Sequence, residues 1–210
     1  MPASEVVIEH GLPDSLRDQA VAIFEEAFGE KMRMTVRDQQ NRMAFMRRRY
    51  VASNVVIARR GEQLLGMAAM STRGAPYAGG LLGSSWDPRP YRELLGWAGA
   101  CWAVWGQRLA DHRPKADEIY VDGIAVVASE RGRGIGTRLL NEVRDIGQAH
   151  GKRYVRLDVI DRNPRAQALY ARLGYRVTRK QSFRWQERWV GFGAMISMER
   201  AVDQAAAPAD

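Results

Sequence analysis

Apolar positions along the chain change their period several times, and each change marks an element. Residues 5–9, EVVIE, read as a short first strand. Leu16, Ala20, Ile23, Phe24 and Phe28 recur at three- and four-residue spacing, which predicts a helix over 15–28 capped by Asp14 or Ser15. A second helix is expected over 36–50, with Val36, Met43, Phe45 and Met46 inward and Arg37, Arg42 and Arg47-Arg48-Arg49 on the other face. Strands at 54–59 and 63–70 flank Gly61-Glu62, a hairpin signal. Residues 71–90 are rich in Gly, Pro and Ser and read as loop. In 91–112, Leu94, Trp97, Cys101, Trp105 and Leu109 return to helical spacing.

The second half alternates more regularly. It reads as a strand at 118–127, a helix at 134–150 ended by Gly151, and a strand at 153–160. Asn163 then caps a short helix at 164–173 that opens on Pro164 and stops at Gly174. Strand-like segments at 175–184 and 189–199 follow. This order predicts an α/β (α+β mixed) domain, with a mixed sheet and helices on both faces. One domain over 1–200 is expected, with a helical insertion at 71–117 between the third and fourth strands and a fraying tail at 201–210.

Composition narrows the chemistry mainly by exclusion. A single cysteine, Cys101, allows no intrachain disulfide and no zinc site of paired cysteines. Cys101 has no neighbouring histidine and reads as a buried inert thiol. The three histidines, His10, His112 and His150, are far apart in sequence, which argues against a multi-histidine metal site or a Ser-His-Asp triad. No metal is expected. The N-terminus lacks a basic stretch followed by an apolar run, and the longest apolar stretch, LLGWAGACWAVW, is too short to span about 30 Å of hydrocarbon. A cytoplasmic protein with no membrane partner is the expectation. Net charge is +8, and all but Lys31, Lys115, Lys152 and Lys180 of the 32 basic residues are arginines, suited to phosphate or carboxylate contacts.

The densest signal is Ile124-Ala125-Val126-Val127-Ala128-Ser129-Glu130-Arg131-Gly132-Arg133-Gly134-Ile135-Gly136-Thr137. A buried strand ends there in a glycine-rich turn that opens a helix. Glycines let the backbone turn tightly and approach a ligand, and the first N–H groups of the helix point at an anion. Arg131 and Arg133 add charge beside them. The segment reads as a phosphate or pyrophosphate cradle. No Gly-Lys-Ser/Thr ending follows, so it is not a P-loop. Its Gly-x-Gly-x-Gly spacing puts Thr137 where a Rossmann fingerprint has its third glycine. Asp158, at the end of the next strand, stands near the place of a ribose-binding acid, which keeps an NAD-binding reading open.

The second signal is Asn163-Pro164-Arg165-Ala166-Gln167-Ala168-Leu169-Tyr170-Ala171-Arg172-Leu173-Gly174-Tyr175. Taken together, Arg131-x-x-Gly134-x-Gly136, Asn163-x-x-Ala166-x-x-Leu169-Tyr170 and Gly174-Tyr175 resemble the GNAT superfamily of acyl-CoA-dependent N-acetyltransferases. The clear match covers about residues 118–178. The resemblance implies a twisted mixed sheet, splayed where two neighbouring strands part, with acetyl-CoA as cosubstrate in the gap. It implies pyrophosphate on the backbone of Arg131, Gly132, Arg133, Gly134, Ile135, Gly136 and Thr137. The pantetheine arm would pair with Ile124, Ala125 and Val126. Asn163 would bond that arm from a helix that also carries Ala166, and Tyr170 would approach the thioester sulfur.

Those roles suit acetyl transfer to a primary amine of a small molecule or peptide in a ternary complex. An amine with pKa near about 10.4 needs a base at neutral pH, and a departing thiolate needs a proton. Tyr170 is the candidate acid. Glu118, Tyr120, Asp122, Ile124 and Val126 share one face of a regular strand, which makes Asp122 the candidate base and Glu118 a more distant one. A structural hydrogen bond or salt bridge is the competing reading for Asp122. The insertion holds four of the six tryptophans, Trp86, Trp97, Trp102 and Trp105, and suits a lid over the acceptor site, core packing or a homodimer interface. A CoA-binding sensor without catalysis is the competing function. Nucleic-acid binding through the arginines has no motif behind it.

Overall fold

The structure is a computed structural model that describes residues 5–33, 36, 38–49, 52–73, 92, 96, 114–183 and 191–203. Apart from Arg92 and Gly96, the expected helix over 91–112 and its tryptophans lie outside the described residues. So do Cys101, the segment 184–190 and most of the expected tail.

Among the described residues, seven strands form one mixed sheet: β1 Val7–His10, β2 Val55–Arg60, β3 Gln63–Thr72, β4 Glu118–Val126, β5 Tyr154–Ile160, β6 Arg176–Ser182 and β7 Ala194–Ala201. The helices given in full by the described residues are α1 Arg17–Met32, α2 Gln39–Arg49, α3 Ile135–Ala149 and α4 Pro164–Arg172. The sheet order is β1-β2-β3-β4-β5-β7-β6, antiparallel everywhere except between β4 and β5. That parallel pair needs a crossover, and α3 supplies it. The turn at Gly61-Glu62 joins β2 to β3 as the hairpin signal required, with Gly61 at φ +59°.

Alternating side chains feed two cores. Val55, Ile57, Met67 and Ala125 meet α1 and α2 on one face, where Leu16, Ala20, Ile23 and Phe24 are buried as expected. Val56, Ala68, Ile119, Val121, Val155 and Leu157 meet α3 and α4 on the other. Sheet residues are therefore buried from both sides, as in layered α/β domains. No helix among the described residues is long and apolar enough to cross a membrane.

Helix α1 begins at Arg17 with Leu16 at its N-cap and no side-chain cap bond, so neither Asp14 nor Ser15 caps it as expected. Two further features depart from the sequence reading. Arg42 is buried at 3% exposure instead of standing on the polar face of α2, because it pairs with Glu25 of α1. Arg47, by contrast, is exposed and pairs with Asp18, as a solvated face would have it.

The second departure lies in β4. It is not regular: Ala69 opposes Gly123 while Met70 opposes Val121, so Asp122 is an extra residue in a bulge. Tyr120 opposes Ser71, but Ile124 and Val126 pack with Ile119 and Val121 against α3. The period-two face expected to run from Glu118 to Val126 thus breaks at Asp122. The extra residue flips the parity of everything after it.

Candidate active site

The bulge sits where the sheet opens. β4 and β5 share four register pairs, from Glu118 opposite Tyr154 to Val121 opposite Leu157. Beyond them both strands continue, each held on its other side. Gly66, Met67 and Ala68 still pair with Val126, Ala125 and Ile124, and β5 pairs with β7 through Ile160. A wedge opens between the strands from Asp122 and Asp158 outward. Among the described residues, β4 has no strand partner on that edge over 122–126.

The turn after β4 leads into α3 through Gly134, an N-cap residue at φ +80°, with Gly132 also at +80°. Nothing lies within 4 Å of a Cβ built on either glycine. The space above the turn is open, and α3 presents its first N–H groups to it. Gly136 serves packing instead. A Cβ there would stand 3.4 Å from Leu169 and 3.9 Å from Ile124, so α3 closes against α4 and β4.

The two arginines of the turn are engaged by carboxylates that sequence reasoning missed. Arg131 donates to the Val126 carbonyl at 2.9 Å and to Glu26 of α1 at 3.2 Å. Arg133 reaches Glu130 at 3.4 Å, and Arg60 donates to both oxygens of Glu130 at 3.1 and 3.3 Å. Those bonds, Arg60 first, hold the Glu130 carboxyl below the usual carboxylate range. No local pattern in the sequence links Glu26 to Arg131 across 105 residues.

On the α3 side of the wedge, Asn163 caps α4 as expected, its Oδ1 accepting from the Ala166 N–H at 3.1 Å. Tyr170 is buried against β5, its ring 5.9 Å from that of Tyr175. Burial pushes the Tyr170 hydroxyl up to about 12, and that of Tyr175 upward as well.

The sign of that shift sets a stability window. Unfolded tyrosines ionise near about pH 10, while these keep their protons in the folded chain. The stability linked to them is whole below about pH 10 and is lost as pH rises through about 12. For Tyr170 alone the loss amounts to about 2–3 kcal/mol. The midpoint of urea unfolding is expected to hold between about pH 8 and 9.5 and to fall above about pH 10. Tyr170→Phe should make that fall shallower.

On the opposite face, the junction of β4 and β5 carries a polar ladder. Glu118 stands 3.9 Å from Arg156 and accepts from the Lys115 N–H at 2.9 Å. One rung on, the Tyr120 hydroxyl donates to Asp158 at 3.0 Å. Asp122 accepts from Ser71 at 3.2 Å. Asp122 therefore lies at the apex of the wedge, whereas Glu118 lies at the closed end, among paired strands. His150, at the end of α3, faces the Ile146 carbonyl at 2.8 Å, as suits a helix C-terminus.

A family profile described as Acetyltransferase (GNAT) family matches residues 14–175. This chain belongs to the GNAT acetyltransferase family. Thialysine N-epsilon-acetyltransferase of Bos taurus is 38% identical over 60 residues, which are 29% of this chain and 35% of that protein. The match thus spans about a third of that relative's length. Among solved structures, an N-acetyltransferase from Staphylococcus aureus Mu50 superposes with a TM-score of 0.61 at 13% identity, covering 92% of this chain and 100% of that one. A putative acetyltransferase from Salmonella typhimurium, solved with its cofactor acetyl-CoA, gives 0.54 at 17% identity over 97% and 98%. At such identities the likeness shows the shared fold.

Proposed function

We propose that the protein transfers an acetyl group from acetyl-CoA to a primary amine, by direct attack in a ternary complex. The observation that carries this reading is the end of β4–β5 pairing at Val121 and Leu157, beside a glycine turn whose helix N-terminus faces open space. The residues present fit the cosubstrate, which when bound supplies an acetyl group activated as a thioester. The open edge of Ile124, Ala125 and Val126 takes the pantetheine arm as an added strand. Ile135, Gly136 and Thr137 offer backbone N–H groups to the pyrophosphate at the start of α3, with Arg131 and Arg133 adding positive charge to the turn. Asn163 spends its carbonyl oxygen on the α4 cap, and its amide N–H groups serve the arm. Ala166 keeps that end of α4 small.

The chemistry is shared across the sheet. Asp122 stands on the α1 face and takes a proton from the attacking amine, directly or through water. Tyr170 stands on the α3 face and gives its proton to the departing thiolate. The gap between β4 and β5 is what lets one reaction use groups from both faces. Glu118 is the weaker base, since it sits at the paired end of the strands near Arg156.

Thermal unfolding with acetyl-CoA, CoA or NAD(H) tests the reading. A ligand at a hundred times its Kd adds about 2.7 kcal/mol of stability. Acetyl-CoA and CoA are expected to raise Tm, and NAD(H) to leave it unchanged. Gly134→Val should shrink the acetyl-CoA shift at equal concentration. It puts a branched side chain at φ +80° and fills the space above the turn. A Tm shift with NAD(H) alone would overturn the reading. CoA binding with no thiol release on any amine would favour a silent CoA-binding module.

A further inference from the structure

We infer that the outer side of α4 and the edge strand β6 form a docking surface for double-stranded nucleic acid, held through its phosphates without reading its sequence. The inference is independent of the transferase reading.

Net charge is unevenly placed along the chain. Residues 162–182 hold six cations, Arg162, Arg165, Arg172, Arg176, Arg179 and Lys180, and no carboxylate. They carry six of the eight units of net charge, so the rest of the chain is close to neutral. The fold places this segment on one border of the sheet. β6 ends the strand order, and all seven of its residues are exposed. On α4, Arg165, Ala168, Ala171 and Arg172 are exposed while Tyr170 is buried. These positions lie three and four apart and form one outward stripe, with alanines between the two arginines. Among the described residues, Arg165, Arg172, Arg176, Arg179 and Lys180 form no ion pair. Glu199 opposes Arg176 in the register without pairing with it. The other arginine-rich regions differ, since Arg42, Arg60, Arg131 and Arg133 each have a carboxylate.

Five unpaired cations call for a polyanion, and two features select its class. The register shifts between Val177 and Arg179, so Thr178 is an extra residue in a bulge that bends the edge. Bulge and like charges both oppose the addition of a peptide strand. Contact is then made by side chains, and arginine forks fit phosphate oxygens. The aromatic rings of the segment, Tyr170 and Tyr175, are buried, so they offer no stacking platform for unpaired bases. A duplex keeps its bases inside and presents its phosphates. Protection of an edge strand from aggregation would explain cations on β6. It does not explain Arg165 and Arg172, which stand on a helix.

The test is fluorescence anisotropy of the full chain with short labelled duplexes of RNA and of DNA, their single strands, and an oligoglutamate peptide. With five phosphate contacts, log K for a duplex is expected to fall against log salt with a slope of about −4.5. That is a loss of about 10²–10³-fold between about 50 and 200 mM salt. Arg172→Gln with Arg176→Gln and Arg179→Gln should bring the slope to about −2 and weaken binding alike for every duplex sequence. If that variant does not fold, Arg165→Gln with Lys180→Gln decides the matter, with a slope of about −2.7 expected. Removing three cations elsewhere, Arg33→Gln, Arg47→Gln and Arg153→Gln, should leave the slope near that of the unaltered protein. Binding of both duplexes, or a preference for one of them, supports the assignment and tells RNA from DNA as the source of the phosphates. An equal loss in the control variant, no duplex binding at about 50 mM salt, or tighter binding of single strands or oligoglutamate overturns it.

Discussion

Tyr170→Phe is expected to lower kcat by about 10²–10³-fold while the affinity for acetyl-CoA changes little. The proposed proton goes to a thiolate that exists only as the acetyl group leaves, so the loss falls on the transition state and not on ground-state binding. Burial supports the role. With its hydroxyl pushed up to about 12, Tyr170 stays protonated through the whole working range and needs no help to remain an acid. The alkaline limb of the pH–rate profile should therefore belong to another group and persist in the phenylalanine variant. Stopped-flow single turnovers separate the chemical step from product release. An acetylated enzyme recovered after mixing with acetyl-CoA alone, or turnover unchanged in Tyr170→Phe, would overturn the assignment.

The largest stability effect is expected at Arg42. Its guanidinium bonds both carboxylate oxygens of Glu25, with Nε at 3.1 and 3.2 Å, and donates from Nη1 to the Val36 carbonyl at 2.8 Å. The two side chains are only 4% and 9% exposed. Arg42→Ala leaves the Glu25 charge uncompensated inside the α1–α2 contact and should cost about 3–5 kcal/mol in urea unfolding. That is a large share of the roughly 5–15 kcal/mol that holds a domain folded. Replacing both partners by apolar residues, Glu25→Leu with Arg42→Met, should recover much of the loss, because desolvation of the pair offsets most of its attraction. If the double variant is as unstable as the single one, the pair stabilises the fold outright. α1 and α2 also line a groove of about 450 Å³ that includes Glu25 and Arg42, so loss of the arginine side chain alters its wall.

Local signals were legible where they are local in cause. The Asn163 cap, Pro164 at the first helical position and the glycine turn at 132–134 depend on residues within a few positions of each other, and all three took the expected form. The bulge at Asp122 was not legible. It arises from the offset between β3 and β4, which are joined through a long intervening segment, and its effect is to reverse the face of every later residue in β4. Arg42 was misplaced for a related reason. On α2 alone it extends an arginine-rich polar face, and only the approach of Glu25 from α1 makes burial affordable.

The chain's own order of residues is enough to specify the strand–helix alternation and the glycine turn that opens α3. Those follow from backbone propensity, glycine conformation and spacing, which act over one turn or one strand. The tertiary structure decided which distant residues become neighbours. Asp122 and Asp158 are 36 residues apart and become neighbours of one gap only because β4 and β5 pair for four rungs and then part. Tyr120 finds Asp158, Arg131 finds Glu26, and Tyr170 lies across the sheet from Asp122 for the same reason. Each of these contacts is set by register and by the packing of helices on two faces, quantities that no short segment of the chain carries alone.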